Sequence, residues 1–183
     1  QGQVDDSPYN GEDVTVTGIV TSESGELYSS TGDFASIMDP QGGEWSGVIL
    51  FGYDGIMEDM ERGDSVVVSG YVNEFFEFTE VVVQSVDYID NGHTIPGPEL
   101  ISTDDISQEK WEGVYVSVED VTVTEEPNTY HEFMVDDGSG EGMIKLYQFP
   151  ASTGDTYSEI IGVVVYSWSN YEINARDEND ITQ

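Results

Sequence analysis

The stretch that decides the fold is VTVTGIVT, residues 14–21. Valine and isoleucine alternate with threonine and glycine along it, and this period of two is typical of a β-strand with one face turned toward a core. The same character recurs in residues 65–72, 114–124 and 162–166, each bounded by Gly, Asp, Ser or Pro. Short strands separated by such turn residues predict an all-β barrel or sandwich.

The strand pattern occurs twice along the chain. Each copy contains a Gly-Asp turn, then a strand glycine, then a glutamate ten residues beyond that glycine: Gly70 and Glu80 in the first copy, Gly162 and Glu172 in the second. Each copy reads as a long strand, a hairpin, a connection and a second long hairpin, and this order fits the OB-fold, a partly open five-stranded barrel. We therefore infer that one unit is repeated in tandem.

The predicted fold class is all-β, with two tandem five-stranded OB-like barrels. The first domain spans residues 1–94 and the second spans residues 95–183, because residues 90–98 (DNGHTIPGP) contain glycines and prolines that interrupt a strand. Residues 55–61 carry Ile56, Met57 and Met60 at a helical spacing. The sequence therefore predicts a short helix in the first barrel only.

The repeated motifs resemble the OB-like regions that precede the catalytic domain in secreted endonuclease/exonuclease/phosphatase-type nucleases. The resemblance rests on residues 1–11, 14–21, 38–40, 63–70 and 79–81 of the first copy and on residues 112–116, 135–140, 154–157 and 173–176 of the second. The sequence has no counterpart of the nuclease domain. The resemblance thus implies the non-catalytic part of a secreted architecture and carries over no nuclease activity.

Charge and composition exclude several functions. The chain has 38 Asp and Glu residues against 4 Lys and Arg residues, a formal net charge of −34 at pH 7. Because such a surface repels phosphates, we expect no binding of free nucleic acid. The chain has no cysteine, which excludes disulfides, thiolate metal sites and cysteine catalysis. No apolar run is long enough to span a bilayer, so we expect no membrane insertion.

Two acidic hairpin turns are candidate Ca²⁺ sites, because carboxylates around flexible glycines bring oxygen ligands together. Their residues are Asp39 and Glu44 in the first copy, and Asp136, Asp137 and Glu141 in the second. Neither turn has EF-hand spacing, and Asp and Gly also dominate ordinary turns. The alternatives are a Ca²⁺ site or a plain turn, and no other cofactor is expected.

Aromatic residues at the hairpins form the second set of candidates. The binding or interface residues are Trp45, Phe75, Phe76, Phe78, Trp168 and Tyr171. Alternation along a strand means that adjacent Phe75 and Phe76 cannot both face the core, so one of them should be exposed. The alternative is that these rings close the barrels or pack between the two domains.

No catalytic residues are predicted. His131, Asp136 and Ser139 offer the residue types of a nucleophilic triad, but no Gly-x-Ser-x-Gly motif accompanies them. The favoured hypothesis is therefore a non-enzymatic extracellular structural or adhesive module, such as a self-assembling filament or surface-layer subunit. The alternative is a ligand-binding accessory region of a secreted hydrolase or nuclease.

The expected partners follow from that hypothesis. They are further copies of the chain, through strand addition by residues 1–9, or another extracellular protein or a glycan. The acidic, cysteine-free and lysine-poor composition, together with Gln1 interpreted as a processed end, favours an extracellular or cell-surface location, and the alternative is a salt-rich cytoplasm.

Overall fold

Two units built from β-strands make up the computed structural model, which describes residues 7–27 and 33–183. The first unit runs to Gly97 and also includes Glu109–Val114, whereas the second comprises Pro98–Gln108 and Tyr115–Gln183. The predicted division was residues 1–94 and 95–183. The short segment Glu109–Val114 thus returns to the first unit after the chain has entered the second.

The first unit is a closed five-stranded barrel with the order β1-β2-β3-β5-β4. Its strands are β1 (Asp13–Leu27), β2 (Asp33–Met38), β3 (Gly47–Gly52), β4 (Ser65–Phe75) and β5 (Phe78–Asp90). The first half of β1 pairs with β4 and its second half pairs with β2, so one long bent strand closes the barrel. The core contains Ala35, Leu50, Val66, Val68 and Val81, which are at most 2% exposed.

The second unit repeats this arrangement. Strands β7 (Tyr115–Glu125), β8 (Glu132–Asp136), β9 (Glu141–Lys145), β10 (Thr156–Ser167) and β11 (Asn170–Asn174) form a ring in the order β7-β8-β9-β11-β10, which the pairing of β10 with β7 closes. The two-residue strands β6 (Glu99–Leu100) and β12 (Ile181–Thr182) pair with β7 and β10. The prediction of two tandem OB-like barrels is confirmed.

The repeated glycine and aspartate have the same structural role in both barrels. A Cβ atom on Gly70 would lie 2.2 Å from the carbonyl oxygen of Val82, and one on Gly162 would lie 2.4 Å from that of Asn174. Only glycine therefore lets the paired strands approach so closely. The Asp64 and Asp155 carboxylates each accept a hydrogen bond from the backbone N–H three residues earlier, at 2.9 and 2.8 Å.

The predicted helix in the first barrel takes a different form. Residues 53–60 make successive turns in which Ile56, Glu58 and Met60 donate to carbonyls three residues earlier. Asp54 and Gly55 lie in the left-handed region (φ 55° and 72°), which a continuous α-helix does not allow. Short 3₁₀ helices lie elsewhere in the described part of the chain, at Asp104–Ser107, Glu109–Trp111 and Glu178–Asp180.

The connection of residues 53–60, between β3 and β4, still closes one end of the first barrel. Met57 and Met60 are 1% and 2% exposed and belong to the core. Residues 1–6, on which the strand-addition hypothesis largely depends, lie outside the described residues. Within the described ranges, no helix is long and apolar enough to cross a membrane.

Candidate binding sites

The β4–β5 hairpin presents aromatic rings at its tip. Phe75 pairs with Phe78 across a loop of only two residues, Phe76 and Glu77. Phe76 is 82% exposed and Phe75 58%, whereas Phe78 is buried. The rings of Phe75 and Phe76 pack edge to face, with their centroids 4.9 Å apart. Both adjacent phenylalanines therefore face solvent, whereas alternation required only that they do not both face the core.

The β10–β11 hairpin has the same construction. Ser167 pairs with Asn170, and Trp168 and Ser169 form the two-residue loop. Trp168 is 93% exposed. Tyr166 and the candidate residue Tyr171 are half-buried and pair with each other across the two strands, with ring centroids 4.8 Å apart. The second hairpin thus carries one exposed ring in its loop and a tyrosine pair on its strands.

Both tips place their aromatic residue in a strained backbone conformation. The φ angles are 53° and 68° at Phe76 and Glu77, and 50° and 69° at Trp168 and Ser169. Two successive positive φ values are typical of the type I′ hairpin turn, which favours Asn-Gly. For other residues the left-handed conformation costs about 1–2 kcal/mol each. Neither ring recovers this energy by burial.

A third candidate, Trp45, lies beside a groove at one end of the first barrel. The groove has a volume of about 630 Å³. Its floor is formed by inward-facing valines, of which Val14, Val16 and Val48 remain half-buried. Trp45 (φ 65°) and Tyr9, which is 50% exposed, lie on its rim. The groove lies at the barrel end opposite Met57 and Met60.

The returning segment Glu109–Val114 holds this rim in place. The backbone N–H of Trp45 donates to the carbonyl of Lys110 at 2.9 Å, and the Lys110 ammonium lies 2.8 Å from Glu44. Two residues further along, the fully buried Glu112 accepts the backbone N–H of Thr79 at 3.0 Å. Burial, together with the charges of Glu109 and Glu74, raises the pKa of Glu112 to about 9.

All four basic side chains are engaged in ion pairs. Arg62 pairs with Glu26, Lys110 with Glu44, Lys145 with Glu132 and Glu172, and Arg176 with Asp180. Every cation that could bind a phosphate is therefore already bound to a carboxylate of the same chain.

The acidic turn of the second barrel uses its carboxylates internally. Asp136 Oδ1 accepts the backbone N–H groups of Gly138 and Gly140, at 2.6 and 3.2 Å. Asp137 is bound by the N–H and hydroxyl groups of Thr103, at 3.1 and 2.9 Å. Partial burial alone would raise the pKa of Asp137, but the hydrogen bonds from Ser139 and Thr103 lower it.

The geometry gives no support for the proposed Ca²⁺ sites. In the first barrel Asp39 accepts the N–H of Gln41 at 2.8 Å, and Glu44 is paired with Lys110. Glu141 begins β9, opposite Asp136. Within residues 7–27 and 33–183, no three Asp, Glu or His side chains converge as metal ligands would.

The residues with triad chemistry are not arranged as a triad. His131 Nδ1 faces the N–H of Gln148 at 3.4 Å, and its ring contacts Tyr147. The Ser139 hydroxyl lies 3.2 Å from that of Thr103.

Sequence reasoning missed the groove and Glu112. Alternation identifies Val14 and Val16 as inward-facing, but it does not tell which barrel end a connection covers. Glu112 belongs to the stretch WEGV, where nothing marks its carboxyl group as fully buried.

Comparison with known proteins finds similar solved structures but no family. No family model matches the chain, and no curated protein matches it. Among solved structures, a murine DNA-binding protein bound to double-stranded DNA is similar, with a TM-score of 0.48 and 10% identity over 87% of this chain and 92% of that one. A structure described as structural mimicry for functional antagonism has a TM-score of 0.45 and 9% identity, over 97% of each chain.

A Replication Protein A heterotrimer bound to single-stranded DNA is also similar, with a TM-score of 0.36 and 14% identity over 95% of this chain and 51% of that one. At these identities the likeness concerns the fold alone. The comparisons provide nothing for the secreted-nuclease resemblance.

Three expectations from composition are contradicted by these comparisons. Two of the similar proteins are described as bound to DNA, which contradicts an extracellular structural, adhesive or accessory module. The expected partners are contradicted for the same reason. They were further copies of the chain, an extracellular protein or a glycan, with nucleic acid excluded. The expected extracellular location is contradicted as well. Net charge alone does not exclude a nucleic-acid partner, because it governs the long-range field and not contacts made by exposed rings.

Proposed function

We propose that this chain is a non-catalytic binding protein that stacks the bases of single-stranded nucleic acid on its two hairpin tips. The observation that carries the proposal is that both barrels hold a highly exposed aromatic residue, Phe76 or Trp168, in the same strained turn. Strain maintained without burial is characteristic of ligand-contacting positions.

The position of the tips supports this ligand class. The loop between the fourth and fifth strands is one of the loops with which OB-folds contact oligonucleotides. Stacking on aromatic rings contributes roughly 1–3 kcal/mol per base and tolerates any sequence, because every base has a π-face. Single strands expose those faces, whereas a duplex hides them. DNA-bound proteins with a similar fold make DNA the first ligand to test.

The charge of the chain determines the conditions under which such binding occurs. The net charge of −34 repels phosphates, and each Lys and Arg is already paired. The Debye length falls from about 10 Å at 0.1 M salt to about 3 Å at 1 M, so salt removes the repulsion while stacking persists. Affinity should therefore rise with salt, opposite to the counterion-release behaviour of basic proteins.

The test is fluorescence anisotropy of labelled oligo(deoxythymidine) at about 0.1 M and about 1 M KCl. We expect binding at the higher concentration and at least tenfold weaker binding at the lower one. A duplex of the same length should bind less tightly. No binding at either salt concentration, or binding that weakens as salt increases, would contradict the proposal.

The most informative variants place Asn-Gly at each tip. Phe76→Asn/Glu77→Gly and Trp168→Asn/Ser169→Gly remove the rings but introduce residues that the type I′ turn favours. We therefore expect folding to be preserved while affinity falls by roughly 1–3 kcal/mol per ring. Tyr53→Ser is the matched control, because it removes a 57% exposed ring from the opposite end of the first barrel. Equal losses in the control and the tip variants would argue against stacking at the tips.

The resemblance to the OB-like regions of secreted nucleases remains a prediction and forms no part of this proposal.

A further inference from the structure

The groove in the first barrel differs from the hairpin tips in chemistry. It combines an apolar floor with an acidic, aromatic rim. We infer that it is a second binding site, which accepts an apolar side chain flanked by lysine or arginine in a basic peptide segment of a partner protein. This inference does not depend on the stacking proposal, because it uses other residues, although the groove and the β4–β5 tip lie at the same end of the barrel.

The floor supplies the apolar part of the site. Val72 and Val81 are 6% and 2% exposed and lie beneath Val14, Val16 and Val48, which face inward but stay half-buried. Among the described residues, no side chain fills the space above them. A volume of about 630 Å³ lies within the range of roughly 300–1,000 Å³ found for ligand pockets. An apolar side chain entering the groove would cover valine surface that water now contacts.

The rim selects the charge of the ligand. Asp39 lies on the rim with an exposed carboxylate, and Glu44, which is paired with Lys110 but 53% exposed, lines the same groove. Trp45 presents an indole ring, against which a lysine or arginine head group packs favourably. The exposed Asp39 carboxylate at this opening also disfavours fatty acids, nucleotides and acidic peptides, because it would repel their negative groups at close range. A basic peptide satisfies the floor and the rim together.

The rim is also preorganised. Trp45 is in the left-handed region (φ 65°), and Lys110 holds its backbone from the returning segment. The opposite wall is fixed by Glu74, whose Oε1 accepts the backbone N–H of Ser7 at 2.9 Å and the hydroxyl of Thr79 at 2.8 Å. Preorganised walls reduce the entropy lost when a ligand binds.

The test uses three defined peptides at about 0.5 M NaCl, where long-range attraction between opposite charges is largely screened and direct contacts with the rim remain. They are acetyl-Lys-Lys-Leu-Lys-Lys-amide, the same peptide with glycine in place of leucine, and a version with glutamates in place of the lysines. Calorimetry should show that the leucine peptide binds at least tenfold more tightly than the glycine peptide. The glutamate peptide should not bind. Equal affinity for the leucine and glycine peptides would overturn the inference.

Variants locate the binding. Trp45→Gly removes the ring at a position whose φ of 65° suits glycine, so the barrel should remain folded. Asp39→Asn removes one rim charge but keeps the oxygen that accepts the N–H of Gln41. Each should weaken leucine-peptide binding at least fivefold. Glu58→Gln, an exposed acid at the closed end of the barrel, is the matched control and should leave the affinity unchanged.

Two further measurements distinguish a bound peptide from other occupants of the groove. NMR amide shifts caused by the leucine peptide should cluster at Val14, Val16 and Val48, and shifts spread evenly over the barrel would overturn the inference. A chain that begins at Ser7 should bind as the full chain does. If only that shortened chain bound the peptide, the groove would belong to residues 1–6 instead.

Discussion

The two barrels share one backbone register but fill a corresponding set of positions with opposite chemistry. In the first barrel Phe34 of β2 pairs with Phe51 of β3, and their ring centroids are 5.2 Å apart. In the second barrel Glu132 of β8 pairs with Lys145 of β9, and their charged groups are 3.3 Å apart. Strand pairing therefore fixes where side chains meet, but not whether the contact is aromatic or ionic.

Each barrel has a buried glutamate in its parallel strand pair, β3 with β5 or β9 with β11, and these two residues show the same contrast. Glu80 lies opposite Ile49 and accepts a hydrogen bond from Asn73 at 2.8 Å. The corresponding Glu172, opposite Met143, lies 3.0 Å from the Lys145 ammonium. Burial raises the pKa of both carboxyl groups. The first barrel thus compensates its buried acid with a neutral amide alone, whereas the second adds a cation to the amide of Asn174, which donates to Glu172 at 3.1 Å.

Removing that cation should have the largest effect on stability. Lys145→Met leaves Glu172, which is 2% exposed, and Glu132 without their ammonium partner. Loss of one member of a buried pair costs about 3–5 kcal/mol. We expect urea denaturation near neutral pH to show a loss of that size in the second barrel. Lowering the pH should recover part of it, because the Glu172 pKa, already raised by burial, rises further without Lys145.

The control for Lys145→Met is the exposed ion pair between Lys110 and Glu44. Lys110→Met removes a contact in which Glu44 is 53% exposed, so its cost should stay below about 1 kcal/mol. Equal losses for the two variants would mean that Lys145 is not an effectively buried cation.

The second prediction concerns pH in the first barrel, where buried acids have neutral partners. The Glu112 pKa is raised from 4.5 to about 9, so its contribution to stability is complete below pH 4.5 and is lost as the pH rises toward 9. Glu112→Gln should therefore stabilise the protein by about 2 kcal/mol at pH 8 and leave it nearly unchanged at pH 4. Urea denaturation at both pH values measures this. A gain that is the same at both would rule out titration of Glu112 as its cause.

These features mark the limit of what the sequence predicts. The alternation of residues 14–21 and the repeated Gly70 and Gly162 predicted both barrels, because strand period and close backbone approach are local properties. The contact between Lys145 and Glu172 spans 27 residues and depends on the parallel pairing of β9 with β11, which alternation does not specify.

The candidate sites divide in the same way. A hairpin tip is predictable from the hairpin, so Phe76 and Trp168 were identified from the sequence. Their left-handed backbone was not, because local preference at a type I′ turn favours Asn-Gly. The predicted helix at residues 55–61 is wrong for a related reason. The spacing of apolar residues indicates which positions face the core, but it does not reveal the positive φ of Asp54 and Gly55.

The third prediction compares the stability of the two tips. Because both have positive φ at two non-glycine residues, placing Asn-Gly at either tip should stabilise its barrel by about 1 kcal/mol. Thermal denaturation of each variant measures this. A stabilisation at Trp168-Ser169 but not at Phe76-Glu77 would mean that the edge-to-face contact of Phe76 with Phe75 offsets the strain in the first barrel alone.

The smallest expected effect separates the two acidic turns. Asp136 accepts two backbone N–H groups, from Gly138 and Gly140, whereas Asp39 accepts one, from Gln41. A hydrogen bond in an exposed turn contributes on the order of 0.5–1 kcal/mol, so Asp136→Ala should destabilise about twice as much as Asp39→Ala. Urea denaturation with and without millimolar CaCl₂, at matched ionic strength, measures both this ratio and any role of calcium. Because these carboxylates are occupied by their own turns, we expect the ratio to be unchanged by calcium. A stabilisation by calcium that disappears in Asp136→Ala would instead assign this turn a metal ion.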